Sequence, residues 1–136
     1  MKLLLKSAEV TLGHAETQEA RTDPPMGCRE VVFHATAGYA LVEHLFRERT
    51  ECAGVLRRRD DTKLAAVADR LARLHLSVVT ESGEALLVTG FTVLDYRSEL
   101  PEEPLTLEFY GMEREQFERL FPGHFPADAD HKRRRG

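Results

Sequence analysis

The stretch LSVVTESGEALLVTGFTVLDY, residues 76–96, decides the predicted fold class. Its apolar residues at 76–80 and 85–96 predict two strands, and the polar ESGE between them is typical of a turn. We therefore predict a hairpin. Because the second strand is apolar on both faces, we expect it to lie in the middle of a sheet.

Helical patterns lie on both sides of this stretch. Apolar residues at steps of three and four predict one amphipathic helix from Tyr39 to Leu56, weakened near Thr50 and Gly54. Asp60, Asp61 and Thr62 are a typical helix start, and an apolar stripe follows them, so we predict a second helix there. A short last helix is predicted over residues 112–121, ending at Pro122 and Gly123.

Three further strands are predicted outside the central hairpin. Alternating apolar and polar residues predict strands at residues 2–12, 30–37 and 105–110. We expect the last of these to be an edge strand whose free backbone groups could pair with a second copy. Between the first two, residues 13–29 are polar and contain Pro24, Pro25 and Gly27, so we predict a long polar loop.

The predicted elements follow the order β-β-α-α-β-β-β-α, which segregates strands from helices. This order favours an α+β fold with a mostly antiparallel sheet of about five strands and two to three helices packed on it, and it argues against a doubly wound parallel sheet. The length of 136 residues suits a single domain, which we place at residues 1–125. A polar and basic tail, residues 126–136, follows it.

Composition and charge exclude several classes of protein. The chain is 42% hydrophobic and 31% charged, close to globular averages, which argues against a disordered or coiled-coil protein. No apolar run approaches the length of a membrane span, so we expect no transmembrane segment. The short apolar stretch at residues 3–5 ends at Lys6, so we expect no signal peptide. With only two cysteines, we expect a cytoplasmic protein or part of an assembled particle.

The chemistry-bearing residues give no strong enzyme motif. No two of the six histidines lie within five residues of each other, no cysteine has a near partner, and no glycine-rich phosphate loop occurs, so we expect no metal and no cofactor. Cys52 falls on an apolar helix stripe, which predicts a buried, inert thiol. Cys28, with His34 and His44, is the candidate for a lesser alternative, a small-molecule or Cys/His hydrolytic site.

The leading hypothesis is a non-enzymatic binding or assembly subunit, such as a phage or virion connector or a small inhibitor protein. Its partners would be other protein subunits, and a homo-oligomer or multi-protein assembly is expected. The partner-contacting arms would be loop 13–29 and the C-terminal tail. The candidate anchors are side chains that make good interface hot spots: Met26, Phe125, Lys132, Arg133, Arg134 and Arg135.

The alternative hypothesis is a small nucleic-acid-associated protein that contacts phosphates through Arg57, Arg58 and Arg59 together with the tail. The formal net charge is −4, and without the four positive charges of residues 132–135 it would be −8, so the body lacks the broad basic face that nucleic-acid binding favours. A structural interpretation of the three arginines is also open, because cations are favourable after the C-terminus of a helix.

Overall fold

A curled, six-stranded antiparallel sheet forms the frame of the molecule and confirms the predicted α+β class. The computed structural model describes residues 1–20 and 28–122. Within them the strands, in chain order, are β1 Lys2–Ser7, β2 Val10–Ala20, β3 Cys28–Ala35, β4 Leu76–Thr80, β5 Gly90–Leu94 and β6 Thr106–Tyr110. Across the sheet the order is β4-β1-β2-β3-β6-β5, one strand more than the expected five.

The first predicted strand is a hairpin of two strands. β1 and β2 pair in antiparallel fashion around a tight turn at Ala8, whose backbone adopts a left-handed φ of 50°. That turn has neither glycine nor asparagine, the usual residues of such hairpins, so residues 2–12 looked like one continuous strand.

The predicted loop 13–29 is wrong at residues 28–29, where β3 has already begun, and over its first half, because β2 continues to Ala20. The buried positions of this half are small or polar, which hid the alternation: Gly13, Ala15, Thr17 and Ala20. A Cβ at Gly13 would lie 2.2 Å from Cζ of Phe33, so the close approach of the two strands requires glycine there. Residues 21–27 lie outside the described residues.

The predicted hairpin at 76–96 is confirmed only at its turn, where Val79 and Ala85 form an isolated antiparallel bridge, and it is wrong beyond the turn, since β4 and β5 lie at opposite edges of the sheet. The segment 84–89 crosses between these edges. At its start the amide of Leu86 donates to the carbonyl of Val78 in β4, and at its end the amide of Thr89 donates to the carbonyl of Tyr110 in β6. This segment therefore brings the two edges of the curled sheet together.

The edge and interior positions predicted for β5 and β6 are reversed in the structure. β6 pairs with β3 on one side and with β5 on the other, so it is not the edge strand that we expected at residues 105–110. β5 is an edge strand rather than a central one. Both of its faces are nevertheless covered at Thr92 and Val93, where helix α1 (Glu43–Cys52) packs beside it.

The first predicted helix is two shorter ones. A 3-10 helix, Ala37–Leu41, precedes α1, and α1 ends at Cys52, where Gly54 follows with a left-handed φ of 92°. The other two helices agree with the prediction: α2 is Asp61–Ala72 and α3 is Arg114–Leu120. The Asp60 side chain caps α2 by accepting a hydrogen bond from the amide of Lys63.

One hydrophobic core lies between the sheet and the helices. Leucine, valine and phenylalanine side chains from all six strands pack against Tyr39 of the 3-10 helix, Phe46 of α1 and Leu120 of α3. Within residues 1–20 and 28–122, no helix combines the length and the apolar character needed to span a membrane.

Candidate functional site

The predicted anchors of the two arms lie where the structure gives no description. Residues 21–27 and 123–136 fall outside the described residues, and they include Met26, Phe125 and the four basic residues 132–135. The role of these residues stays a prediction.

The structure does not bring the predicted Cys/His pair together. Cys28 is the first residue of β3, and His34 lies six residues further along the same strand. At the usual rise of about 3.3 Å per residue, the two backbone positions are about 20 Å apart. His44 is an exposed residue of α1. A hydrogen-bonded Cys28–His34 pair is therefore not formed.

The three adjacent arginines lie in a turn, not at a helix end. Arg57 forms ion pairs with Glu51 and Glu99, so it joins the turn after α1 to the turn after β5. Arg59 Nε lies 2.6 Å from a carboxylate oxygen of Asp61. These carboxylates neutralise two of the three positive charges. The three arginines do not lie at the C-terminus of a helix, as the structural interpretation required, because α1 ends at Cys52.

A buried carboxylate, Asp95, is the centre of the most connected polar cluster in the described residues. Its side chain has no solvent exposure. The guanidinium of Arg97 donates to both carboxylate oxygens at 3.0 Å, the hydroxyl of Tyr39 donates at 2.9 Å, and Nε of Arg47 donates at 3.3 Å. Glu43 of α1 accepts from Arg97 and faces Arg47 as well. The cluster thus ties the end of β5 to the 3-10 helix and to α1.

Two groups of this cluster, Asp95 and Tyr39, have shifted pKa values. Burial by itself would raise the pKa of Asp95, but the hydrogen bonds from Arg97 and Tyr39 outweigh it, so this pKa lies below its usual range. Burial and the neighbouring carboxylate of Asp95 raise the pKa of Tyr39 far above its ordinary value. Asp95 therefore stays ionised and Tyr39 stays neutral near neutral pH. A constant protonation state suits groups that hold elements together. A general acid or base needs a pKa near the working pH.

A shallow hollow opens beside this cluster. Thr50, Leu56, Tyr96 and Glu99 are among its lining residues, and its empty volume is about 180 Å³ including open solvent. Pockets for small molecules usually measure about 300–1,000 Å³. The hollow is therefore smaller than a typical small-molecule pocket.

Exposed apolar side chains lie on the two turns that Arg57 and Glu99 join. Val55 and Leu56 are 65% and 46% exposed on the turn after α1, and Leu100 is 45% exposed on the turn after β5. We call these three residues the turn patch. Sequence reasoning missed it, because Leu56 is part of the predicted first helix and Leu100 belongs to no predicted element.

A pair of histidines faces outward from the middle of the sheet. His14 of β2 lies directly opposite His34 of β3, and their ring centroids are 5.1 Å apart with an interplanar angle of 27°. Oε1 of Glu19 lies 2.8 Å from Nε2 of His34. In the side-chain orientations of the structure, no three metal-ligating groups of the described residues converge on one point. Sequence spacing could not find this pair, because the two histidines are twenty positions apart in the chain.

Comparisons with protein-family models, with curated proteins and with solved structures gave no match for this chain.

Proposed function

We propose that this protein is a non-enzymatic assembly subunit, and that its turn patch docks against the turn patch of a second copy of the chain. The observation that carries the proposal is the exposure of Val55, Leu56 and Leu100 on two turns held together by the Arg57–Glu99 ion pair. Exposed apolar side chains with charged neighbours are typical of protein-binding surfaces.

The charges around the turn patch suit a second copy. The turn after α1 carries Arg58, which has no ion pair among the described residues, and we call it the basic turn. The turn after β5 continues to the exposed Glu102 and Glu103, and we call it the acidic turn. In a two-fold contact each surface meets itself in the opposite orientation. The basic turn of one copy would then face the acidic turn of the other, with the apolar side chains between them.

The polar interior supports a scaffold role rather than catalysis. Asp95 and Tyr39 each hold one protonation state near neutral pH, and the hollow beside them is smaller than a typical small-molecule pocket. Three apolar residues form a small interface centre, so we expect a dimer in the micromolar range rather than an obligate one.

Native mass measured by light scattering over a series of micromolar concentrations tests this proposal. We expect the mass to rise toward twice that of the 15.4 kDa chain. Leu56→Asp should abolish this rise, because it places a charge in the apolar centre. Leu41→Asp is the matched control, since Leu41 is 72% exposed but precedes the ten-residue helix α1, about 15 Å of helix away.

A charge exchange tests the orientation of the two copies. Arg58→Glu alone and Glu102→Arg alone should each weaken association, and the double variant should recover it. A wild-type chain that stays monomeric at about 100 μM would overturn the proposal. Equal effects of Leu41→Asp and Leu56→Asp would also overturn it.

A further inference from the structure

We propose that His14 and His34 form a binding site for a divalent transition-metal ion on the outer face of the sheet, with Glu19 as the third ligand. Two imidazoles and one carboxylate are ligands that Zn²⁺, Ni²⁺ and Cu²⁺ all accept. This site would lie on the outer face of the sheet and does not depend on the turn patch.

The backbone holds the two histidines side by side. His14 and His34 are register partners on the antiparallel strands β2 and β3, so their side chains leave the same face of the sheet. Cβ atoms of such partners are typically about 5 Å apart. β2 and β3 are also paired on their other sides, with β1 and β6, so the sheet fixes this spacing. A rigid pair loses little freedom when a metal ion binds.

The observed separations match those of ligands around one ion. With a Zn–N bond of about 2.0–2.1 Å, two imidazoles on a tetrahedral ion have ring centres about 5 Å apart. The rings of His14 and His34 are separated by 5.1 Å. Two ligating atoms on such an ion lie about 3.3 Å apart, and Glu19 Oε1 is 2.8 Å from His34 Nε2. Metal binding under this proposal requires both rings to rotate from their stacked arrangement until one nitrogen of each faces the ion.

A second observation points to a ligand at the same place. Nδ1 of His14 is buried and has no hydrogen-bond partner among the described residues. Buried polar atoms nearly always have a partner, and an ion is one of the recognised exceptions. His34 and Glu19 are about half exposed, so an ion can reach the pair from solvent.

Calorimetric titration of the full chain with ZnCl₂ at pH 7.5 tests the proposal. We expect one ion per chain with micromolar affinity, and at least tenfold weaker binding in His14→Ala and in His34→Ala. Glu19→Gln should weaken binding by a smaller factor. His44→Ala is the matched control, because His44 is an exposed histidine on α1 and should leave binding unchanged. His131→Ala controls for binding by the C-terminal tail.

The same variants with Cu²⁺ give a spectroscopic test. Electron paramagnetic resonance of the wild-type complex should report two nitrogen ligands, and of the His14→Ala complex fewer. Thermal unfolding without metal shows whether each variant is folded, and we expect little change because both rings lie on the outer face. Absence of binding at about 100 μM ZnCl₂ overturns the proposal. Full binding by His14→Ala, or a loss confined to His131→Ala, does the same.

Discussion

Replacing Asp95 with asparagine tests whether the buried polar cluster holds the helices to the sheet. The substitution keeps the shape of the side chain but removes the negative charge that Arg97, Arg47 and Tyr39 share. Breaking a buried ion pair from one side costs about 3–5 kcal/mol. Arg97 and Arg47 are about one-third exposed and can turn toward water, so we expect the lower end, about 3 kcal/mol.

Urea unfolding followed by circular dichroism at pH 7 measures this loss. A protein of this size has an m-value of about 1.5–2 kcal/mol/M, so the midpoint should fall by about 1.5–2 M. Asp69→Asn is the matched control, because Asp69 forms an exposed 2.8 Å ion pair with Arg73. Exposed pairs contribute little, so this control should change stability by less than about 0.5 kcal/mol.

The dependence of stability on pH is a second test of the contribution that Asp95 makes to this cluster. The pKa of Asp95 is lower in the folded protein than its ordinary value of 3.8, so its contribution to stability is complete above that value. The contribution disappears as the pH falls through the lowered pKa. Asp95→Asn should therefore lose less stability than the wild type below about pH 4. A loss at pH 7 no larger than that of Asp69→Asn, or an unchanged acid dependence, would refute this account.

Three other substitutions or treatments test the fold. Gln116→Ala should cost about 2 kcal/mol in urea unfolding, because the Gln116 side chain accepts from the amide of Leu87 at 2.6 Å and donates to the crossing segment 84–89; an unchanged midpoint would contradict this role. Gly13→Ala should lower stability by about 1–3 kcal/mol, since the added Cβ meets the ring of Phe33, and a neutral result in thermal unfolding would show that the strands can separate there. Burial raises the pKa of the Cys52 thiol, so in the native protein it should react with a disulfide reagent more slowly than free cysteine at pH 7, with the difference lost in urea; equal rates in both states would exclude a buried thiol.

Elements whose cause is local were predictable from the sequence. The capped start of α2 at Asp60, the short α3 and the alternating residues of β3 each depend on neighbours a few positions away. The α+β class follows from the order of such elements. The strand within residues 13–20 escaped prediction because its buried positions are small or polar, so packing rather than residue type sets their burial.

The pairing of distant segments was decided by tertiary structure alone. β4 and β5 are close in sequence, yet the crossing segment 84–89 places them at opposite edges of the sheet. The same is true of the candidate sites. The register of β2 against β3 sets His14 opposite His34, and the Arg57–Glu99 ion pair joins the two turns of the turn patch. Sequence patterns record which face of an element is apolar, whereas the partner of that face depends on how the whole chain buries its apolar surface at once.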